Sequence, residues 1–291
     1  MSESFKLVGR KRAFTLSALL VVLTMVVLLA LYLLPLVSHY RSQQAASTCI
    51  ANLRRLGQST LMYANDFDET LPQTTANINS QWLTNFHYLV PANWSSMTTH
   101  PGVIASPYVW PNTCIQYGIT ESELKCPVQR TERSTLPRFT YDTPLAKPIV
   151  VSYSMNGYLN SFKLTDIADK SQVPFIWEGR GKANPLGGVL NNPPLSCSDG
   201  TQPCTYNTSC DSNINGGRGS VFGLASSVWT HGKTNHCLLV DGHVEQRKMG
   251  AVLSPENTDI SIDFYNGYNE SGMPSSYWWN ACHAWLFRPN R

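Results

Sequence analysis

The sequence predicts an α+β protein in which one long N-terminal helix is followed by a β-rich globular head. Two observations lead to this prediction. An uncharged apolar stretch occupies residues 14–37, directly after a basic leader, and a helical pattern continues beyond it. The remaining chain has short apolar runs separated by Pro, Gly, Asn and Ser, which is typical of strands joined by loops.

Residues 1–13 form the basic leader, and residues 14–37 are predicted to cross a membrane. About 20 apolar residues in a helix span the hydrocarbon core of a bilayer, and residues 14–37 carry no charge. An excess of positive charge holds the preceding segment in the cytoplasm. We therefore expect a single pass through the inner (cytoplasmic) membrane, with the head periplasmic or extracellular. The basic residues of the leader are Lys6, Arg10, Lys11 and Arg12.

The charge balance argues against nucleic acid as a partner. The chain has 22 basic and 19 acidic residues, a formal net charge of +3. The leader holds four of the basic residues and one acid, so 18 residues of each sign remain after it. Because nucleic-acid-binding domains need an excess of basic residues to neutralise phosphates, we expect no such binding.

Residues 38–72 are predicted to continue the helix outside the membrane. Apolar residues recur there at helical spacing, while Arg54 and Arg55 fall on other faces. Pro35 is expected to kink the helix without ending it, and Pro72 marks the end of the segment. The predicted buried face comprises Cys49, Leu53, Leu56 and Thr60 or Tyr63.

All eight cysteines lie beyond the apolar stretch, on the side of the membrane where disulfides persist. An even number in an exported domain predicts a partial disulfide framework. Proximity along the chain favours Cys114 with Cys126, and a pair within Cys197, Cys204 and Cys210. A zinc site is the alternative for that trio, but its spacings differ from those of common zinc knuckles.

A β-hairpin is predicted in the segment NHCLLVDGHVEQR. Two strand-like runs flank Asp241 and Gly242, a pair that tolerates the positive φ angles of a type I′ turn. His231 precedes Asp241 by nine intervening residues, which gives the spacing His-x9-Asp-Gly. The cross-strand partners predicted by this turn are Val240 with His243 and Leu239 with Val244.

The segment RAFTLSALLVVL resembles the cleavage and methylation segment of type IV pilins and type II secretion pseudopilins. The resemblance implies cleavage by the prepilin peptidase between Ala13 and Phe14, and methylation of Phe14. It also implies a pilin-like head, with the helix packed on an antiparallel sheet, and other pilin-like subunits as partners through that helix. The His-x9-Asp-Gly spacing and the segment from Cys49 through NLRRLG resemble one pseudopilin-like family, as do the patches WLTNFHYLV, LKCP, VSYSMNGYL and VPFIWEG.

Two positions depart from the pattern of these families. Ala13 stands where Gly is usual, which keeps a small residue before the cleavage point. Ala18 stands fifth after cleavage, where most members carry a Glu that pairs with the N-terminal amine of a neighbouring subunit. Without that carboxylate a charge pair within the membrane is lost. Since the tip-like minor pseudopilin also does without it, the resemblance implies a minor or tip subunit.

Residues 73–291 are predicted to form the head, which is long enough for one core with long insertions. Residues 184–219 have few large apolar groups and hold three cysteines. We therefore predict a loop-rich insertion held by disulfides in that segment.

Three groups of residues could carry chemistry, and each has a structural alternative. The first comprises Asp241 and the nearby histidines, which could bind a metal or form an acid/base pair. The turn itself already explains Asp241 and Gly242, so we predict no metal there and surface roles for the histidines. The histidines of this group are His231, His236 and His243.

The second group, Asp66, Asp68 and Glu69, offers oxygen ligands that could hold calcium, as some pseudopilins do. The segment lacks the glycine and the distal Glu of the familiar calcium loop, which favours ordinary solvated acids. No other cofactor is expected.

The third group is aromatic and could form an exposed platform for glycans or a partner protein. Burial in the core is the favoured alternative, since Trp and Tyr are usually well buried. The group comprises Tyr265, Tyr268, Tyr277, Trp278, Trp279, Trp285 and Phe287 near the C-terminus, with Trp82, Trp94 and Trp110 earlier.

No nucleophile elbow, phosphate loop or paired catalytic carboxylate motif occurs in the sequence. The resemblance implies a non-enzymatic pilin-like subunit of a type II secretion or type IV pilus-like system, which is the expected function. A membrane-anchored binding domain for a glycan or protein is the first alternative, and an anchored hydrolase is the second.

Overall fold

The computed structural model describes residues 16–75, 77–78, 80–82, 88–94, 104–129, 145–178, 186–189, 191, 195, 201, 204, 229–232, 234–248 and 287–290. The chain divides into two compact units, Met1–Gln44 and Ala45–Arg291. The processing residues Ala13 and Phe14 lie outside the described residues.

Helix α1 spans Leu16–Asp66 without interruption, and Pro35 lies inside it as expected. In the first unit its apolar side chains are exposed, and the helix is long and apolar enough to cross a membrane. The hydroxyls of Thr24 and Ser38 donate hydrogen bonds to carbonyl oxygens one turn earlier in the helix, at Val21 and Pro35. These bonds satisfy polar groups that an apolar surrounding would leave unpaired.

In the second unit, α1 buries the face that its sequence predicts. Cys49, Leu53, Leu56 and Thr60 are fully buried, whereas Arg54 is exposed. The helix ends at Asp66 because the next residues leave helical geometry. Both Asp68 and Glu69 have positive φ, and the Glu69 amide donates back to the Ala64 carbonyl at 2.8 Å. This bond satisfies one of the carbonyls that a helix end leaves unpaired.

Eight strands occur in the described residues, and four of them form the main sheet. This sheet has the order β4-β5-β7-β8, with every pair antiparallel. All five side chains of β5 are buried, as expected for a central strand covered on both faces. The strands are β1 (Asn77–Ile78), β2 (Gln81–Trp82), β3 (Tyr88–Leu89), β4 (Tyr153–Met155), β5 (Pro174–Glu178), β6 (Gly188–Val189), β7 (Thr234–Leu239) and β8 (Val244–Lys248).

A second helix, α2 (Trp110–Gln116), packs into the same core as α1 and the main sheet. Proline at its second position lacks an N–H, which the first turn of a helix does not need. The long helix and the antiparallel sheets confirm the α+β prediction at this level.

The β7–β8 hairpin is present, but its turn differs from the predicted one. Leu238 pairs with Val244, and the Leu239 amide donates to the His243 carbonyl. The loop therefore has three residues, and only Gly242 among them has positive φ, at 93°. Asp-Gly fits both a two-residue type I′ turn and a three-residue loop with glycine last, so the predicted register was wrong by one residue.

The aromatic residues that the structure describes favour the core interpretation. Trp94, Trp110 and Phe287 are fully buried. Trp82 is half-buried. The other C-terminal aromatics of that group, from Tyr265 to Trp285, lie outside the described residues.

Candidate functional site

A buried carboxylate lies at the centre of the polar groups in the head. Glu178 is the last residue of β5, and its side chain is fully buried. One oxygen, Oε2, lies 2.9 Å from Nε2 of His231. The other, Oε1, accepts from the His236 backbone amide at 2.7 Å and contacts Nδ1 of the same histidine. Both carboxylate oxygens are therefore engaged by histidine.

The strand pairing explains why these groups meet. Trp177 pairs with Cys237 across β5 and β7, which places the end of β5 beside His236. The Asn235 side chain donates to the Glu178 carbonyl at 2.7 Å and holds the strand end in place. His231 precedes β7 in a short turn, where the Thr234 hydroxyl donates to its carbonyl.

A disulfide completes the group. Cys49 of α1 is bonded to Cys126, and the Cys126 sulfur lies 3.7 Å from Glu178 Oε2 and 3.8 Å from His231 Nε2. We call Glu178, His231, His236 and the Cys49–Cys126 disulfide the Glu178 cluster. It joins α1, the segment around Cys126 and the main sheet at one point.

The electrostatics of the cluster favour an ionised carboxylate. Burial raises the pKa of Glu178, but the hydrogen bonds and positive charge of His231 and His236 outweigh burial and leave that pKa below its usual range. Burial also raises the pKa of the neighbouring Tyr153, with a contribution from the charge of Glu178.

The predicted histidine group is divided by the fold. His231 and His236 meet at Glu178, with ring centroids 5.0 Å apart, and not at Asp241. His243 instead contacts Asp241 through Nδ1 at 2.7 Å on the exposed side of the hairpin. The surface interpretation is thus confirmed for His243 and wrong for the other two histidines, whose side chains are buried against Glu178 at the end of β5.

The predicted pairing of Cys114 with Cys126 is wrong. Cys126 is bonded to Cys49, and Cys114 is a buried thiol outside any disulfide. The pairing failed because α1 brings a residue 77 positions away closer than the neighbouring loop does. Cys204 is disulfide-bonded. Cys197 and Cys210 lie outside the described residues, so a pair within that trio stays a prediction.

The acidic group after α1 does not converge on one point. Asp66 accepts a hydrogen bond from the Tyr117 hydroxyl at 2.7 Å, while Asp68 and Glu69 form the turn that follows the helix. Among the described residues, the one group whose potential metal-ligand atoms lie close together comprises Cys49, Cys126, Glu178 and His231; these atoms lie within 4.8 Å of one another, and the two sulfurs are joined in the disulfide.

Sequence reasoning missed Glu178 and the partner of Cys126. One signal was present, because VPFIWEG places a single acid directly after an apolar strand, where a charge needs a buried partner. Comparison of the chain with protein-family models, curated proteins and solved structures finds no match.

Proposed function

We propose that this chain is a pilin-like subunit, a pseudopilin, of a type II secretion or type IV pilus-like system. The observation that carries the proposal is the continuity of α1. Its first part is apolar and exposed, and its last five turns bury Cys49, Leu53 and Leu56 in the head. One helix thus supplies both an anchor of membrane-spanning length and a core element of the domain that follows it.

The head supports the same proposal. An antiparallel four-stranded sheet covers the buried face of α1, with β7 in direct contact with it through Leu238 and Gly57. The main buried ionisable group, the Glu178 cluster, links helix to sheet and is shielded from solvent. Its placement suits a structural, non-enzymatic role.

Ala18 supports a place at the end of a filament. No charged residue occurs between Leu16 and Val37, so the helix offers no carboxylate to a neighbouring subunit's N-terminal amine. A subunit that cannot make this pair fits a minor or tip position, where one of its two axial neighbours is missing.

Processing by the prepilin peptidase is the direct test. In bacterial cells with an active peptidase, mass spectrometry of the membrane-bound chain should find Phe14 as a methylated N-terminus, and cells without the peptidase should keep Met1. Ala13→Arg should block cleavage and leave membrane insertion intact. The matched control Ser4→Arg, within the leader but away from the junction, should be cleaved normally. A chain that keeps Met1 in peptidase-active cells would favour the anchored binding domain.

Assembly provides an independent test. Sheared filaments from cells that express the chain with its partner subunits should contain it in small amounts, and Ala18→Glu should increase that amount. Filaments made mainly of the unaltered chain would refute the tip position.

A further inference from the structure

We propose that the head has a second form, in which the Cys49–Cys126 disulfide is reduced and Cys49, Cys126, Glu178 and His231 hold one Zn²⁺ ion. This inference does not depend on the proposed function. It rests on the geometry of the donor atoms, on their chemical types and on their burial.

Three of the four donor atoms are already spaced much as the corners of a zinc site. Cys126 Sγ, Glu178 Oε2 and His231 Nε2 form a triangle with sides of 3.7, 3.8 and 2.9 Å. In a tetrahedral Zn²⁺ site, sulfur lies about 3.6 Å from a nitrogen or oxygen ligand, and nitrogen and oxygen lie about 3.4 Å apart. To hold a metal ion between them, the three atoms would move by about half an ångström or less. The ion takes the place of the proton that now joins His231 to Glu178.

The fourth corner requires the disulfide to open. A dithiol reductant supplies two electrons and two protons, which convert the sulfur–sulfur bond into the thiols of Cys49 and Cys126. The reductant itself becomes a disulfide. Zn²⁺ then displaces the two thiol protons and the proton between His231 and Glu178, and all three pass to solvent. The backbones need little movement, because the two Cα atoms are 5.4 Å apart and both sulfurs face the same carboxylate and imidazole.

The chemistry of the set selects zinc among common divalent ions. Two thiolates, an imidazole and a carboxylate form a mixed sulfur, nitrogen and oxygen set with four members, whereas calcium and magnesium take oxygen ligands. His236 stays hydrogen-bonded to Oε1 of Glu178 and orients the carboxylate, as second ligand shells do in metal sites. The ion would enter beside His231, since the neighbouring Gly232 is exposed.

In this form the metal replaces the disulfide as the link between α1 and the rest of the head. Before the disulfide has formed, a newly exported chain could therefore hold its helix against the sheet through zinc. The proposal assigns the same four residues to two mutually exclusive crosslinks.

Cys49→Ser provides a test that needs no reductant, because it frees Cys126 and leaves Cys126, Glu178 and His231 as three ligands, with the fourth position open to water. The full-length variant in detergent should bind one Zn²⁺ per chain, measured by elemental analysis after desalting and by competition with a coloured chelator. The oxidised wild-type chain should bind none at this site. Cys49→Ser combined with His231→Gln should bind at least tenfold more weakly, and Cys49→Ser combined with His243→Ala, the matched control, should bind as Cys49→Ser does.

Folding is measured in parallel by near-ultraviolet circular dichroism. If Cys49→Ser has lost its tertiary signal, Zn²⁺ should restore it, and failure to restore it would overturn the proposal. Equal Zn²⁺ affinity with and without His231→Gln would overturn it as well, as would the absence of stoichiometric Zn²⁺ from the wild-type chain after reduction with a dithiol.

Discussion

Gly57 of α1 lies directly against Leu238 of β7. A Cβ atom at position 57 would lie 2.7 Å from a methyl carbon of Leu238, closer than van der Waals contact allows. The absent side chain lets the helix approach the sheet at the point where both are fully packed. Gly57→Ala should therefore destabilise the head, although alanine favours helix by about 1 kcal/mol, because overpacking costs about 1 to 3 kcal/mol.

The effect of Gly57→Ala on stability should change sign when a smaller residue at position 238 makes room for the added methyl group. In a Leu238→Ala background, Gly57→Ala should raise stability, since only the helix preference remains. Urea denaturation in detergent of the wild type, the two single variants and the double variant measures this double-mutant cycle. An increase in stability from Gly57→Ala in the wild-type background would contradict the close contact.

The disulfide assignment makes two measurable claims. Peptide mapping without reduction should find the fragments that contain Cys49 and Cys126 joined, and none that joins Cys114 to Cys126. Cys126→Ser should lower the free energy of unfolding by up to about 4 kcal/mol, as expected for a loop closed over 77 residues. Cys114→Ser is the control with a smaller effect, about 1 kcal/mol, since its hydroxyl can still contact Thr60.

Glu178→Gln removes the charge that two buried histidines share. We expect a loss of about 3 kcal/mol in unfolding free energy, because removing the charge of a buried, hydrogen-bonded carboxylate leaves the groups around it without a charged acceptor. Glu121→Gln is the matched control. Its pair with Lys147 is exposed, so the loss should stay below about 0.5 kcal/mol. Equal effects of the two substitutions would show that the cluster does not stabilise the fold.

Gly242→Val tests the conformation of the hairpin. With φ at 93° and open space around a Cβ, the cost is purely conformational, on the order of 1 to 2 kcal/mol. Thermal melting should show the corresponding decrease in Tm. His243→Ala, which removes an exposed contact with Asp241, should leave Tm nearly unchanged.

The head should lose stability in acid when Glu123, whose pKa is lowered in the folded state, becomes protonated. The backbone amide of Thr120 lowers the pKa of Glu123, burial opposes this, and the Thr120 hydroxyl and Arg55 lower the pKa further. A carboxyl with a depressed folded pKa contributes stability above its unfolded pKa and loses it as pH falls through the folded value. Glu123→Gln should therefore reduce the stability difference between neutral pH and pH 3, as measured by urea denaturation at both values.

The parts of the fold that depend on local pattern could be predicted from the sequence. The course of α1 follows from an uncharged run and a helical period, and its buried residues Cys49 to Thr60 are those that the period selects. The hairpin position follows from Asp-Gly, but its register does not, because the pair suits two loop lengths.

The candidate site could not be predicted because it depends on distant contacts. Glu178, His231 and Cys126 come together only after β5 pairs with β7 and α1 packs on them. Proximity along the chain selects the wrong partner for Cys126. A lone acid after an apolar strand indicated that a partner was needed without indicating which residue it was.

Phe287 is part of the core although it follows a long stretch of chain. Its ring lies 5.3 Å from that of Trp177, and its carbonyl accepts a hydrogen bond from Asn156, 131 residues earlier. A head that lacks this residue leaves one N–H of the buried Asn156 amide without its acceptor and one side of Trp177 uncovered. A chain cut or stopped upstream of Phe287 would therefore lack both a side chain of the core and the acceptor for Asn156, so the head is completed only by its last few residues.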